Sequence, residues 1–462
     1  MLSTRNRLTR PAKALGLLAI LLVADRLSVG LPNQAADLEK EVQRAGERGV
    51  AFLSKVRTID NPYYRGHPLF ELQALALLVW DQPVDQARLD QCLARMNELP
   101  WDHTYNVALR ACVCALLLEK NPDDVEVFAR LSMAARFLAE TQLPSGQWGY
   151  GLAYLPGGQG YLKGQASARI VEQQVAAATA KLVPYGREIS ASVNATKRRS
   201  AKLGKGTHRL VNITLDGSIR GRLQEGDFSS SQIAALGLAA ALGARLRIAP
   251  DVYVALSLPP QTVERAIRNW TEAQNPDGGW GYDGARKTSY FSMTAGGLFS
   301  LTALHGIGEK LSASDASGST TKKLAELMRQ VAPTAGKALK WLDAAYSVEG
   351  NPRVTDAWQD DAPSLFHFYA LFSLERAATV AGLTKIGVHD WYAEGARCLI
   401  KAQADDGGWP EETVTKSEGQ ESPDAKRSRR DIATCFALLF LKRATARIVP
   451  RDVATPGRER EK

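Results

Sequence analysis

Two adjacent carboxylates, Asp360 and Asp361, follow Trp358 closely, and His367 and Tyr369 stand just beyond them. One carboxyl beside another is held protonated above its usual range, so the pair can act as a general acid with His367 as a proton carrier. Similar mixtures recur along the chain: Tyr63, Tyr64 and His67; Asp102, His103 and Tyr105; Asp283 and Tyr290; and Arg430 with Asp431. Two carboxylates, or a base beside a cation, together with aromatic platforms are what acid–base chemistry on sugar rings requires. Asp360, Asp361 and His367 are therefore the candidate catalytic residues, and His67, His103, Tyr105, Asp283, Tyr290, Trp358 and Tyr369 the candidate ligand contacts. A plainer reading stands beside this one. Asp360 and Asp361 suit a helix start through the helix dipole, with Pro363 in the first turn, and each His suits a hydrogen-bonded place near a helix end.

The elements that must position these residues are announced by a repeat. Gln, three residues, Gly, one residue, Trp occurs at Gln142/Gly146/Trp148, Gln274/Gly278/Trp280 and Gln403/Gly407/Trp409. Each copy closes one helical stretch and precedes another. Before the second copy, Val263, Ile267, Trp270 and Ala273 repeat at the three-to-four spacing of an amphipathic helix; after it, "SMTAGGLFSLTALHG" is apolar or small on every side, as a helix buried all round should be. On that template amphipathic helices begin near Asp37, Val84, Asp123, Thr262, Lys322 and Val388, and buried ones near Pro68, His103, Phe228, Ser289, Ser364 and Asp431. A ring of buried helices inside a ring of amphipathic ones accommodates both kinds. The Gly ends its helix in a left-handed conformation and the Trp covers the adjacent pair while donating its indole N–H.

These three copies resemble the repeat of squalene cyclases and of protein prenyltransferase β subunits. "GDFSSSQIAALGLAAA", "FHFYALFSLERA", "HDWYAEGA" and "TCFALLFLKRA" look like stretches of bacterial squalene-cyclase-related repeat proteins. The resemblance covers residues 37–447 and implies an all-α fold, an (α/α)6 toroid of six inner and six outer helices, with the Gln hydrogen-bonding backbone groups where neighbouring units meet. It also implies a comparison of chemistry. The cyclase signature is Asp-x-Asp-Asp; here Asp360 and Asp361 fill its last two places and Trp358 replaces the first. The prenyltransferase zinc site needs Asp, Cys and His on inner helices, whereas Asp90 and Cys92 lie on an outer one without a matching His, so no metal and no cofactor is expected. α/α toroids also occur among glycosidases and polysaccharide lyases.

The remaining segments set the context. Arg5, Arg7, Arg10 and Lys13 precede an apolar run from Ala14 to Ala24, so residues 1–36 read as an export signal, with an uncleaved inner-membrane anchor as the alternative. The net charge is +9, and residues 151–226 hold twelve basic against four acidic side chains. This basic insertion, with a β-hairpin expected around Asp216-Gly217 in "THRLVNITLDGSIRGRL", is read as a solvated loop or a contact for an acidic partner rather than a nucleic-acid surface. Residues 448–462 form a charged tail. Cys92, Cys112, Cys114, Cys398 and Cys435 sit in apolar stretches as small hydrophobes, not as a disulfide framework. No phosphate-binding Gly-Lys-Ser/Thr loop and no Gly-x-Ser-x-Gly elbow occurs. The sequence thus points to an exported or membrane-tethered toroid that holds an apolar, lipid- or terpenoid-like ligand or a partner in a central cavity. The alternative is an enzyme, either a cyclase-like isomerase using Asp360 as acid or a glycan hydrolase or lyase.

Overall fold

Helices that are apolar all round need neighbours on every side, and six helices of this chain supply them to one another. They are α2 (Phe70–Leu78), α4 (Thr104–Lys120), α7 (Phe228–Gly243), α9 (Phe291–Ser314), α11 (His367–Val380) and α13 (Pro423–Leu441). Every side chain of α2 is buried, and nearly every one of α7. In the computed structural model, which describes residues 32–60, 68–80, 86–151, 165–200, 209–215, 226–283, 288–314, 319–352, 366–411 and 423–449, the chain is mostly helical. Contacts run from α2 to α4, to α7, to α9, to α11, to α13, and from α13 back to α2.

Each of these is preceded in sequence by one of α1 (Pro32–Leu53), α3 (Gln86–Glu98), α5 (Val125–Glu140), α8 (Pro260–Glu272), α10 (Ser319–Ala344) and α12 (Trp391–Ala402). Most bury one face only, while α5 is buried over most of its surface. In α8 that face is Thr262, Val263, Ala266, Ile267 and Trp270. Each lies against at least one of the buried helices, and α12 also packs on α1.

The Gln-Gly-Trp repeat builds the same joint three times. Gln142 Nε2 donates to Gly146 O at 3.2 Å and to Thr262 O at 2.9 Å; Gln274 Nε2 to Gly278 O and Thr334 O at 2.8 and 2.9 Å; Gln403 Nε2 to Gly407 O and Ala45 O, both at 2.8 Å. The second acceptor always belongs to another amphipathic helix, so the joints tie α5 to α8, α8 to α10 and α12 to α1. Gly146, Gly278 and Gly407 have φ of +93°, +94° and +94°, and a Cβ at each would strike a backbone carbonyl of that helix, on Arg265, Lys337 or Arg48. Trp148, Trp280 and Trp409 are fully buried, and their indole N–H groups donate to Leu138 O, Trp270 O and Leu399 O at 2.7, 3.0 and 2.8 Å. Their backbone N–H groups donate to hydroxyls of the following buried helix, on Ser231, Thr294 and Thr434.

The insertion differs from the sequence expectation. Its main element is α6 (Gln165–Ser200), a 36-residue helix lying on α5. The strand it contains is β1 (Arg209–Thr214). It runs parallel to β3 (Val252–Ser257), which pairs antiparallel with β2 (Arg245–Ala249), giving the order β1-β3-β2. β2 and β3 form a hairpin across Pro250-Asp251, where Asp251 takes φ +63°. Asp216 and Gly217 lie outside the described residues. Leu246, Val252, Val254 and Leu256 are buried, and the Arg247 guanidinium meets Asp123 with two bonds of 2.8 and 2.9 Å. A last short helix, α14 (Thr445–Ile448), is fixed by the buried Glu375 carboxyl, which accepts from Thr445 N at 3.1 Å and Thr445 Oγ1 at 2.6 Å. Among the described residues, no helix is long and apolar enough to cross a membrane, and no group of three His, Cys, Asp or Glu side chains is placed to hold a metal ion.

Candidate ligand-binding site

The turns that follow the first two repeat copies deliver tyrosines to the starts of the buried helices. Thr104 N donates to Tyr150 O at 2.9 Å and Asp227 N to Trp148 O at 3.1 Å, while Phe228 N donates to Tyr282 O at 2.8 Å. The Trp-Gly-Tyr segments at 148–150 and 280–282 are thereby stitched to α4 and α7. Gly151, at φ +126°, passes so close to Asp102 that a Cβ would strike its carbonyl.

Four tyrosines meet there. The Tyr150 and Tyr282 hydroxyls are hydrogen-bonded to each other. The rings of Tyr105 and Tyr150 are stacked with centroids 6.5 Å apart, and the buried His103 ring lies 6.1 Å from each. The Tyr105 hydroxyl is bonded to Ser229 Oγ and lies 3.3 Å from the Tyr369 hydroxyl, which is 2.8 Å from Ser229 Oγ. Burial pushes both Tyr105 and Tyr369 upward from their usual range, so each stays a neutral hydroxyl able to donate and accept.

A carboxyl sits against this group. Asp227 caps α7, with Oδ1 accepting from Ser230 N at 2.6 Å and Oδ2 from Ser230 Oγ at 2.9 Å. Burial raises it from 3.8 to about 7 against the pull of these bonds, and the nearby Asp283 charge adds to the rise. One turn further along the same helices, the fully buried Arg376 donates to Gln232 Oε1 at 2.6 Å and to Ser373 Oγ at 2.9 Å, with its guanidinium 4.3 Å from the Phe372 ring. Below the tyrosines, then, a hydrogen-bonded cation stands among phenylalanine rings.

Of the residues singled out from sequence, His103, Tyr105 and Tyr369 come together here, and Asp283 stands close enough to Asp227 to act on its charge. Tyr290 is buried, with its backbone N–H on Trp280 O at 3.1 Å. His367 is held elsewhere, its Nε2 2.8 Å from Val348 O, and burial lowers its proton affinity. His67, Trp358, Asp360 and Asp361 lie outside the described residues. Sequence reasoning missed Tyr150, Tyr282, Asp227 and Ser229. The signal for the tyrosines was present, since Trp-Gly-Tyr occurs in two of the three repeat copies. Asp227 and Ser229 carried only the pattern of a helix cap.

No protein-family model and no curated protein matches this sequence.

Proposed function

We propose that the chain is an α/α toroid of the squalene-cyclase and prenyltransferase-like kind, with six buried helices inside six amphipathic ones, and that the end where the buried helices start binds a glycan. The fold reading is supported by the cyclic order of contacts among the buried helices and by the third joint, which ties α12 to α1. The ligand reading rests on one observation: Tyr105, Tyr150, Tyr282 and Tyr369 gather beside Ser229 and Asp227 at a single place. Tyrosine faces stack on sugar rings, and their hydroxyls exchange hydrogen bonds with sugar hydroxyls at little cost. An apolar ligand passed down the axis fits less well, because it would strip hydrogen bonds from Ser229 and Tyr369 and then meet the Arg376 cation. The export or anchoring role of residues 1–36 belongs to the same proposal, since it would present the protein to glycans outside the cytoplasm.

A second reading is favoured by Asp227 alone. A carboxyl at about 7 beside Asp283 is the kind of pair that divides acid and base roles in glycan cleavage. Both readings are tested by a glycan array probed with the full chain, followed by titration of the best ligand. Saturable binding that Tyr150→Ala/Tyr282→Ala abolishes with the fold retained is expected. A lipid extracted from the purified protein, with no glycan bound, would overturn the assignment. Cleavage products lost in Asp227→Asn would add catalysis to binding.

A further inference from the structure

The insertion does more than decorate the outside. Where α6 crosses α5 it fits closely: a Cβ at Gly186 would crowd Met133 Sδ, Arg136 lies 4.4 Å over the Tyr185 ring, and Ser190 Oγ donates to Glu126 at 3.3 Å. Beside this crossing a cleft of about 370 Å³ opens between α5, α6 and the segment joining α3 to α4. That size falls at the low end of the ~300–1,000 Å³ usual for small-molecule sites.

The lining has two characters. Trp101, Ala129, Met133 and Val183 give apolar and aromatic walls. The Trp101 ring is backed by Arg110, whose guanidinium lies 4.5 Å from it. Arg110 brings no usable charge, because buried Glu71 already takes it at 2.7 Å. At the mouth, Arg130 and Arg187 contribute two cations from facing helices, and Glu126 is the one acid among the lining residues. Arg130 is half-buried and Arg187 exposed. A site with an aromatic wall inside and two guanidiniums outside matches a ligand that is flat and apolar at one end and anionic at the other.

We propose that this cleft is a second binding site, formed only because the insertion is present, for a small organic carboxylate with a flat apolar body. The body lies against Trp101 and Met133, and the carboxylate meets Arg130 and Arg187. A polyanion such as nucleic acid would use the two arginines but leave the apolar walls empty, so the concave, mixed lining favours the small amphiphile. This site is separate from the tyrosine cluster and does not depend on its function.

The test is calorimetric titration of the full chain with naphthalene-2-carboxylate and, in parallel, naphthalene-2-carboxamide. The carboxylate is expected to bind at least about tenfold more tightly than the amide, a difference ordinary for one charge-assisted contact. In Arg130→Gln/Arg187→Gln, melting as the wild type does, that preference should fall to about parity while weak binding of both probes persists. Val183→Trp, which fills the cleft, should abolish both. Equal affinity for the two probes, a preference unchanged in the double variant, or no heat from either probe at millimolar concentration would each overturn the proposal.

Discussion

Asp227 gives the site a pH signature whose sign follows from its surroundings. Burial raises its carboxyl from 3.8 to about 7, so the folded chain keeps a proton that the unfolded chain has already released. The stability tied to that proton is fully present below the unfolded value and is lost as pH rises through the folded one, between about pH 4 and about pH 7. Asn at this position keeps a side-chain oxygen for the α7 cap but has no proton to lose. Asp227→Asn should therefore show a shallower fall of unfolding free energy than the wild type over that range, as measured by urea denaturation at a series of pH values. The fall should not vanish, because burial also raises Glu375 to about 7 and Asp431 to about 7. Parallel profiles for variant and wild type would show that Asp227 is not held protonated. Residue-level legibility was uneven for a physical reason. His103, Tyr105 and Tyr369 could be named from their type and position, but the pairing of Tyr105 with a residue 264 positions away is set by packing alone.

At the scale of elements, the joints between amphipathic helices carry the argument. Each Gln amide donates to two backbone carbonyls, and removing it leaves buried acceptors unpaired at a cost of about 1–3 kcal/mol. Gln142→Ala, Gln274→Ala and Gln403→Ala should each destabilise the fold by that order. Gly146→Ala, Gly278→Ala and Gly407→Ala should cost more than the matching Gln change, because the added Cβ meets both an unfavourable φ and the carbonyl of the next helix. Urea midpoints for the six variants check the order. A glycine change milder than its glutamine partner would contradict the joint as described. The spacing of the repeat was readable because the turn it makes is local, with Gly146 N on Leu143 O and Gly278 N on Asn275 O, both at 2.9 Å. The expectation that each Gln meets backbone groups where neighbouring units join is borne out at Thr262, Thr334 and Ala45, although the spacing alone does not name those acceptors. The sheet shows the same limit from the other side. β1 alternates like a strand, but its partner β3 lies beyond the whole of α7, a pairing that no local signal announces, while the turn expected at Asp216-Gly217 lies outside the described residues. In α6, charge and flanking glycines disguised an alanine-rich helix.

For the whole molecule, the tyrosine cluster draws together helices far apart in sequence. Tyr369 on α11 reaches Ser229 on α7 and Tyr105 on α4, as it would if the buried helices surrounded a common axis. The contacts that would close such a ring are few and specific: Gln403 Nε2 on Ala45 O at 2.8 Å, an Arg48 guanidinium N on Ala404 O at 2.7 Å, and Trp80 Nε1 on Leu438 O at 3.2 Å. The alternation of buried and amphipathic helices was visible in the sequence, because a 3.6-residue period writes itself into composition. Closure was not, because an open stack of the same helices would show the same period. Amine cross-linking of the monomer, read by mass spectrometry, decides between them. Lys40 on α1 and Lys401 on α12 are exposed and belong to the helices that the third joint ties together. A closed ring predicts an intramolecular Lys40–Lys401 cross-link that weakens in Gly407→Ala. Cross-links confined to helices adjacent in sequence, with none between α1 and α12, would contradict the ring.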